Sequence, residues 1–216
     1  MSPRYRLVIF DFDGTLADSG DWFLAQADDL ADRFRFKKVT PDEVEMLRGR
    51  TTREVIRYLG IPRWKLPRMA RHMHARLAAE ADKIKLFPGV EALLAELDDA
   101  GVEIAVVTSN AERNARAILG AANVARVRHW ECGASLFGKA RRFRRVLRRS
   151  GVARGDAISV GDETRDITAA RRVGIAAGAV TWGYARRDAL ITLGPDRLYD
   201  DAAAVAAHIL GERVAA

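Results

Sequence analysis

Short apolar segments alternate with helical patterns along most of the chain, and this alternation limits the folds available to it. Strand-like runs occur at 7–10, 102–107, 124–130, 157–160 and 176–182. Helical patterns separate most of them, at 90–100, 112–119, 139–149 and 165–173. Parallel strands need crossover connections, and these are usually helices. The sequence therefore predicts an α/β fold, a doubly wound parallel sheet with helices on both faces.

The alternation stops between the first strand and the second. From Leu16 to about Ile84 there is no convincing strand pattern, and the sequence favours helices instead, at 21–34, 41–47, 53–59 and 64–81. We therefore predict a core domain made of residues 1–16 and 85–216 and an all-helical domain, 17–84, inserted into it. Such an insertion would cover the carboxyl end of the first strand, where open α/β sheets bind their ligands.

Composition excludes several classes of protein. The 216 residues suffice for one core and a small insertion, and no stretch approaches the ~20 apolar residues of a membrane span. The net charge is +7, but much of it is arginine on the outer face of a predicted amphipathic helix, 139–149, without a nucleic-acid-binding motif. A single cysteine and the lack of a signal-like segment favour the cytoplasm. We expect neither a membrane nor a specific nucleic-acid partner.

Two carboxylates follow the first strand directly. Asp11 and Asp13 lie two positions apart after four apolar residues, and Gly14 allows a tight exit from the strand. Side chains at i and i+2 of an extended segment leave the same face, so these carboxylates should converge at the mouth of the sheet. Because like charges repel, the pair predicts a cation beside it.

Polar residues also follow other predicted strands. Thr108, Ser109 and Asn110 offer a hydroxyl and backbone amides that suit phosphate oxygens. Lys139 opens a basic helix, and if another helix starts after Gly161, Asp162 and Asp166 would share one face of its first turn. Carboxylates and phosphate oxygens are the ligands that Mg²⁺ prefers. The set predicts a magnesium site beside a phosphate site.

These segments, taken in order, resemble the motifs of the haloacid dehalogenase-like hydrolase superfamily. Residues 11–19, DFDGTLADS, resemble its first motif, Thr108 its second, Lys139 its third, and Gly161 to Asp166, GDETRD, its fourth. The chain is most similar to the phosphoglycolate phosphatase-like group with a helical cap. The resemblance implies a Rossmann-like core whose first strand lies centrally, between the strands that carry the second and fourth motifs.

The resemblance also implies roles. Asp11 would be the nucleophile that forms an aspartyl-phosphate, and Asp13 the general acid and base. Magnesium would be held by Asp11, the backbone carbonyl of Asp13, and Asp162, with Asp166 bound directly or supporting the ligands. The transferring phosphoryl group would be bound by Lys139 and by the second motif, at Thr108, Ser109 and Asn110.

The substrate is less constrained than the chemistry. Arg48 and Arg50 lie in a stretch similar to the family's cap loop, and either could pair with a carboxylate or second phosphate, although a solvated loop arginine is the alternative. The leading hypothesis is a Mg²⁺-dependent phosphatase acting on a small phosphorylated metabolite, as a monomer or homodimer. A sugar-phosphate mutase and a non-catalytic phospho-ligand binding module are the alternatives.

Overall fold

A parallel sheet of six strands forms the centre of the computed structural model, which describes residues 3–133 and 138–211. The strands of the described residues, in chain order, are β1 (Leu7–Phe10), β2 (Ala17–Asp18), β3 (Lys85–Leu86), β4 (Glu103–Val107), β5 (Val127–Glu131), β6 (Ala157–Gly161), β7 (Ala176–Val180) and β8 (Arg197–Tyr199); β2 and β3 form a separate two-stranded sheet. The main sheet has the order β5-β4-β1-β6-β7-β8, and all its neighbouring strands are parallel. The predicted α/β fold is confirmed, and β1 lies between β4 and β6 as the resemblance implies.

Helices cover both faces of this sheet. The helices of the described residues are α1 (Gly20–Ala25), α2 (Ala27–Phe34), α3 (Pro41–Arg48), α4 (Thr52–Tyr58), α5 (Leu66–Ala79), α6 (Val90–Asp99), α7 (Glu112–Leu119), α8 (Ala121–Arg126), α9 (Lys139–Ser150), α10 (Thr164–Val173), α11 (Arg187–Thr192) and α12 (Ala202–Leu210). Helices α6 and α12 lie on one face of the sheet, and α9 and α10 lie on the other. None of the helices in the described residues is long and apolar enough to span a bilayer.

The alternation of side chains along β1 divides the core in two. Val8 and Phe10 belong to a cluster that includes Leu94 of α6. Leu7 and Ile9 point to the other face, into a cluster with α9 and α10. All four β1 side chains are fully buried, so β1 cannot shift by one residue without exchanging its two faces. The register of β1 therefore fixes the position of the residues that follow Phe10 at the carboxyl edge of the sheet.

The residues from α1 to α5 form a helical segment above the carboxyl edge of the sheet. It has a small apolar cluster of its own, in which Phe34, Ile61 and Met69 are buried. Helices α3 and α4 contain no buried residue, and each begins with a capping box, at Thr40 and at Thr51. Their ends are therefore stabilised locally, while their packing against the rest of the chain is slight.

Several sequence predictions need correction. The interval 17–84 is not purely helical, because β2 pairs antiparallel with β3 and brings the two ends of the helical segment side by side. Residues 124–126 are helical, so the strand predicted at 124–130 begins only at Val127. The edge strand β8 was not predicted, because three residues that begin with an exposed arginine carry little apolar pattern. The division into two domains at 16/17 and 84/85 stays a prediction.

Candidate active site

The turn after β1 places two carboxylates at the centre of the sheet edge. The backbone N–H of Asp11 still donates to Val160 of β6, at 2.9 Å, so Asp11 continues the strand. Gly14 then adopts φ +78°, and its N–H donates to the carbonyl of Ala17 at 2.9 Å. A Cβ at position 14 would lie 2.3 Å from an Asp162 oxygen, so only glycine fits this turn. Asp11 is buried, and Asp13 is half-buried.

Cations surround Asp11. Lys139 is buried at the start of α9, and its Nζ lies 2.6 Å from Asp11 Oδ2 and also contacts Asp166 Oδ1. The Nη2 of Arg165 lies 3.7 Å from the same Asp11 oxygen and 2.6 Å from Glu163 Oε1. The Nε of Arg165 is buried and has no hydrogen-bond partner among the described residues. Two positive groups thus meet at one oxygen of the predicted nucleophile.

The hydrogen-bond donors to Asp13 are neutral instead. Ser19 Oγ donates to Asp13 Oδ1 at 3.1 Å, and the amide of Asn110 donates to both carboxylate oxygens, at 3.2 and 3.3 Å. Burial, and next the charge of Asp11, raise the pKa of Asp13 to about 6, although its hydrogen bonds oppose the rise. A carboxyl group in this state can exchange a proton near neutral pH.

Three buried carboxylates offer a place for a divalent cation. Asp11, Asp162 and Asp166 each present an oxygen, and these oxygens lie within 4.8 Å of one another. Burial and the neighbouring acids, first Glu163 and then Asp11, raise the pKa of Asp162 well above its usual value. Among the described residues, Asp11 Oδ2 and Asp166 Oδ1 form ion pairs with cationic side chains and have no further hydrogen-bond partner. These oxygens fit Mg²⁺ in number, hardness and charge.

The orientation of these carboxylates is fixed by neighbouring groups. Thr15 Oγ1 donates to Asp162 Oδ1 at 2.9 Å, and the backbone N–H of Tyr184 donates to Oδ2 at 2.8 Å. Asp166 accepts from the backbone N–H of Glu163 at 3.0 Å, in the first turn of α10. The side chain of Asp13 is not part of this group of oxygens, so any contribution of Asp13 to metal binding would fall to its backbone carbonyl, as the resemblance implies.

The residues after β4 lie opposite Asp13. Thr108 Oγ1 accepts from the backbone N–H of Asn110 at 2.9 Å and stands 3.5 Å from Asp13 Oδ2. Asn110 Oδ1 accepts from the N–H of Ala111 at 2.8 Å, which leaves the amide nitrogen to face Asp13. Ser109 is half-buried between them. The predicted phosphate-binding residues therefore border the two aspartates.

Comparisons with known proteins identify the family. A model of the family described as haloacid dehalogenase-like hydrolase matches residues 8–180. The chain belongs to this family. It is 34% identical over 198 residues to a phosphoglycolate phosphatase of Synechococcus elongatus, covering 90% of this chain and 92% of that protein. It is also 30% identical to a phosphoglycolate phosphatase of Agrobacterium fabrum, with 94% and 91% covered.

Solved structures agree on the architecture. A predicted phosphatase from Clostridium acetobutylicum superposes with a TM-score of 0.80 at 21% identity, over 96% of this chain and 99% of that one. Identity at this level shows the fold alone. Together with the family match, the relatives show that this haloacid dehalogenase-like hydrolase is a phosphatase of the phosphoglycolate phosphatase-like group. The resemblance stated from the motifs is confirmed.

The structure separates the two arginines at the end of α3. Arg48 does not face the carboxylates: its Nε donates to the carbonyl of Tyr184 at 2.9 Å, and its Nη2 donates to that of Gly183 at 3.2 Å. Arg50 is exposed in the following loop, beside Glu54. Neither arginine forms a hydrogen bond or ion pair with the carboxylates of the site among the described residues, and for Arg50 both alternatives, substrate binding and a solvated loop arginine, stay predictions.

Four further residues of this haloacid dehalogenase-like hydrolase contact the site and were given no role from the sequence. Two of them, Thr15 and Ser19, lie within the first motif, and Arg165 lies between the acids of the fourth. Their positions inside the recognised motifs were the signal that could have found these three. Tyr184 lies in an irregular segment after β7, and nothing in the local sequence pattern distinguishes it from a surface tyrosine.

Proposed function

We propose that this protein is a Mg²⁺-dependent phosphatase that hydrolyses a small anionic phosphomonoester, such as phosphoglycolate, through a phosphoryl group carried on Asp11. The observation that carries the proposal is the contrast between two carboxylates two residues apart. Asp11 is paired with Lys139 and Arg165, whereas Asp13 is held by neutral donors. The cations beside Asp11 allow an anionic phosphate to approach it, and the surroundings of Asp13 allow it to exchange a proton.

In the first step, an oxygen of Asp11 attacks phosphorus. The bond between phosphorus and the ester oxygen breaks, its electron pair leaves with that oxygen, and the proton of Asp13 is transferred to it. Lys139 and Arg165 lie at the attacking carboxylate and offset the negative charge that the phosphate brings. The products are an alcohol and a phosphorylated Asp11.

In the second step, water attacks the same phosphorus. One water proton goes to Asp13, the other stays on the phosphate, and the bond between phosphorus and Asp11 breaks. Asp13 is thereby returned to its protonated form and Asp11 to its carboxylate. Thr108 and Asn110 border the space that the water must occupy, because both face Asp13.

The metal would be held by Asp11, Asp162 and Asp166. When bound, Mg²⁺ supplies positive charge that polarises the phosphate and lowers the repulsion between carboxylate and substrate. Thr15 and the backbone N–H of Tyr184 keep Asp162 oriented toward this position.

The proposal is tested with a panel of phosphate esters in Mg²⁺ and in EDTA. The panel contains 2-phosphoglycolate, a hexose phosphate and p-nitrophenyl phosphate, and inorganic phosphate is measured. We expect Mg²⁺-dependent release and a loss of at least about 1,000-fold in Asp11→Asn. Acid quenching during turnover should trap phosphate on the peptide that contains Asp11. The matched control is Asp18→Asn, since Asp18 belongs to the same motif but is exposed; its turnover should stay within about twofold of wild type.

Two results would contradict the proposal. Retained turnover in Asp11→Asn would remove Asp11 as nucleophile. Isomerisation of the hexose phosphate without release of phosphate would replace the phosphatase with a mutase, which uses the same motifs.

A further inference from the structure

Tyr184 contacts three parts of the molecule that the proposed reaction requires. Its backbone N–H donates to Asp162 Oδ2 at 2.8 Å, and its hydroxyl lies 2.7 Å from Ser19 Oγ. Its carbonyl accepts from Arg48 Nε at 2.9 Å. One residue outside the four motifs therefore contacts a predicted metal ligand, the neighbour of Asp13 and the end of α3.

The proton positions in this chain of contacts follow from the number of donors. Ser19 has a single hydroxyl proton and donates it to Asp13 Oδ1 at 3.1 Å. While Asp13 Oδ1 accepts this proton, as it does when the carboxylate is ionised, the contact between Ser19 and Tyr184 is a donation from the phenol to Ser19 Oγ. Successive hydroxyl donors polarise one another, so the tyrosine strengthens the bond that Ser19 gives to Asp13. Ser19 is fully buried, which keeps water from replacing either partner.

The ring of Tyr184 is fixed by close packing. A Cβ at Gly20 would lie 3.1 Å from the ring and one at Gly14 3.0 Å, so both glycines leave room for it. The ring of Phe23 meets it edge-on, with centroids 6.5 Å apart. Replacing the tyrosine by phenylalanine keeps these contacts and removes the hydroxyl alone.

Arg48 fixes the backbone on which Tyr184 stands. Besides its bond to Tyr184, it donates to the carbonyl of Gly183 at 3.2 Å, and its own carbonyl accepts from the N–H of Arg186 at 3.0 Å. Three hydrogen bonds thus join the end of α3 to residues 183–186; Arg48 donates two of them and accepts the third. The position of the tyrosine hydroxyl depends on α3 being docked on the sheet edge.

We propose that Tyr184 is a positioning residue for Asp13: its hydroxyl orients Ser19, Ser19 orients the carboxylate, and Arg48 of α3 fixes the place of Tyr184. This inference rests on the proposed function, because it assumes that Asp13 transfers the proton. It adds a connection between the helical segment and proton transfer that runs through the segment after β7.

The test is the steady-state kinetics of Tyr184→Phe on the best ester of the panel. We expect kcat to fall about 3- to 10-fold, the value of one hydrogen bond, with KM changed less than about twofold, since Tyr184 acts on proton transfer and not on phosphate binding. The matched control is Tyr199→Phe, which removes another buried hydroxyl, one paired with His208 away from the site. It should leave kcat within about twofold of wild type.

Double variants test whether Tyr184 acts on Asp13 through Ser19. Ser19→Ala should lower kcat at least as much as Tyr184→Phe, and the double variant should be no slower than Ser19→Ala, because the tyrosine acts through the serine. Arg48→Gln should lower kcat in the same direction, and less than additively with Tyr184→Phe.

Two outcomes would overturn the inference alone: wild-type kcat in Tyr184→Phe while Asp13→Asn is inactive, or effects of Ser19→Ala and Tyr184→Phe that multiply. A fully active Asp13→Asn would instead overturn the proposed function, so the two failures are distinguishable.

Discussion

The carboxyl edge of the sheet and the helical segment above it are built differently. At the sheet edge, Asp11, Asp162 and Asp166 are buried and each is held by several partners. In the segment from α1 to α5, helices α3 and α4 have no buried residue, and only three apolar side chains form a separate buried cluster. Because each of these three carboxylates is held by several partners, we expect the edge to be more rigid than the segment, which relies on caps and a few contacts with the edge.

This difference assigns phosphoryl transfer to the sheet edge and the choice of leaving group to the helical segment. Phosphoryl transfer needs charges held in place, which the buried edge provides. Choice of leaving group needs a surface that can change without disturbing those charges, and a lightly packed segment meets that need. We therefore expect substitutions at the edge to abolish chemistry, and substitutions in the segment to alter substrate affinity or local opening.

After the loss of Asp11 itself, the largest effect is expected at Lys139, the one side chain among the described residues that forms ion pairs with both Asp11 and Asp166. Lys139→Met should lower phosphate release at least about 100-fold, because the transferring group loses a cation. It should also lower the Tm in EDTA, because the buried carboxylates lose their counter-charge. Breaking a buried ion pair in this way typically lowers the free energy of unfolding by about 3–5 kcal/mol. Added Mg²⁺ should raise the Tm of the variant more than that of wild type, as measured by thermal unfolding.

Lys83→Met is the control for this prediction. Lys83 is exposed and pairs with Glu80, one turn away on the surface. Its loss should change neither the rate nor the response of the Tm to Mg²⁺. A Lys139→Met variant with activity within tenfold of wild type would show that the edge does not depend on this cation.

The next prediction compares the loss of stability when an apolar side chain is truncated in the core of the sheet and in the cluster of the helical segment. Leu94 is fully buried in the core beneath the sheet, and Leu94→Ala should lower the free energy of unfolding by about 2–5 kcal/mol for the whole molecule. Met69 is buried in the cluster of the helical segment, and Met69→Ala should accelerate hydrogen exchange in α2 and α5 while leaving β1 and β4 protected. Equal acceleration in β1 would mean that the two regions open together.

The sequence predicted the edge better than the segment for a physical reason. Asp11, Lys139 and Asp162 lie at the junctions of strands or helices whose apolar patterns are strong, so topology alone brings them together. Arg165 and Tyr184 reach the site through side-chain geometry, which strand and helix patterns do not encode. In the helical segment, the short strand β2 forms only because β3 lies beside it, and a two-residue pairing leaves no pattern in the sequence.

The smallest change in kinetic constants is expected for Arg50→Gln. Comparison with Arg48→Gln tests two arginines that lie two residues apart. Arg50 is exposed, whereas Arg48, two residues earlier, donates to two backbone carbonyls of the sheet edge. Arg50→Gln should therefore change kcat and KM for 2-phosphoglycolate less than about twofold, while Arg48→Gln lowers kcat. A KM raised tenfold or more in Arg50→Gln, for esters with a second anionic group only, would show that this loop moves onto the substrate. In that case the contrast between a rigid edge and an adaptable segment would extend to the choice of substrate itself, because the segment would supply the charge that the edge lacks.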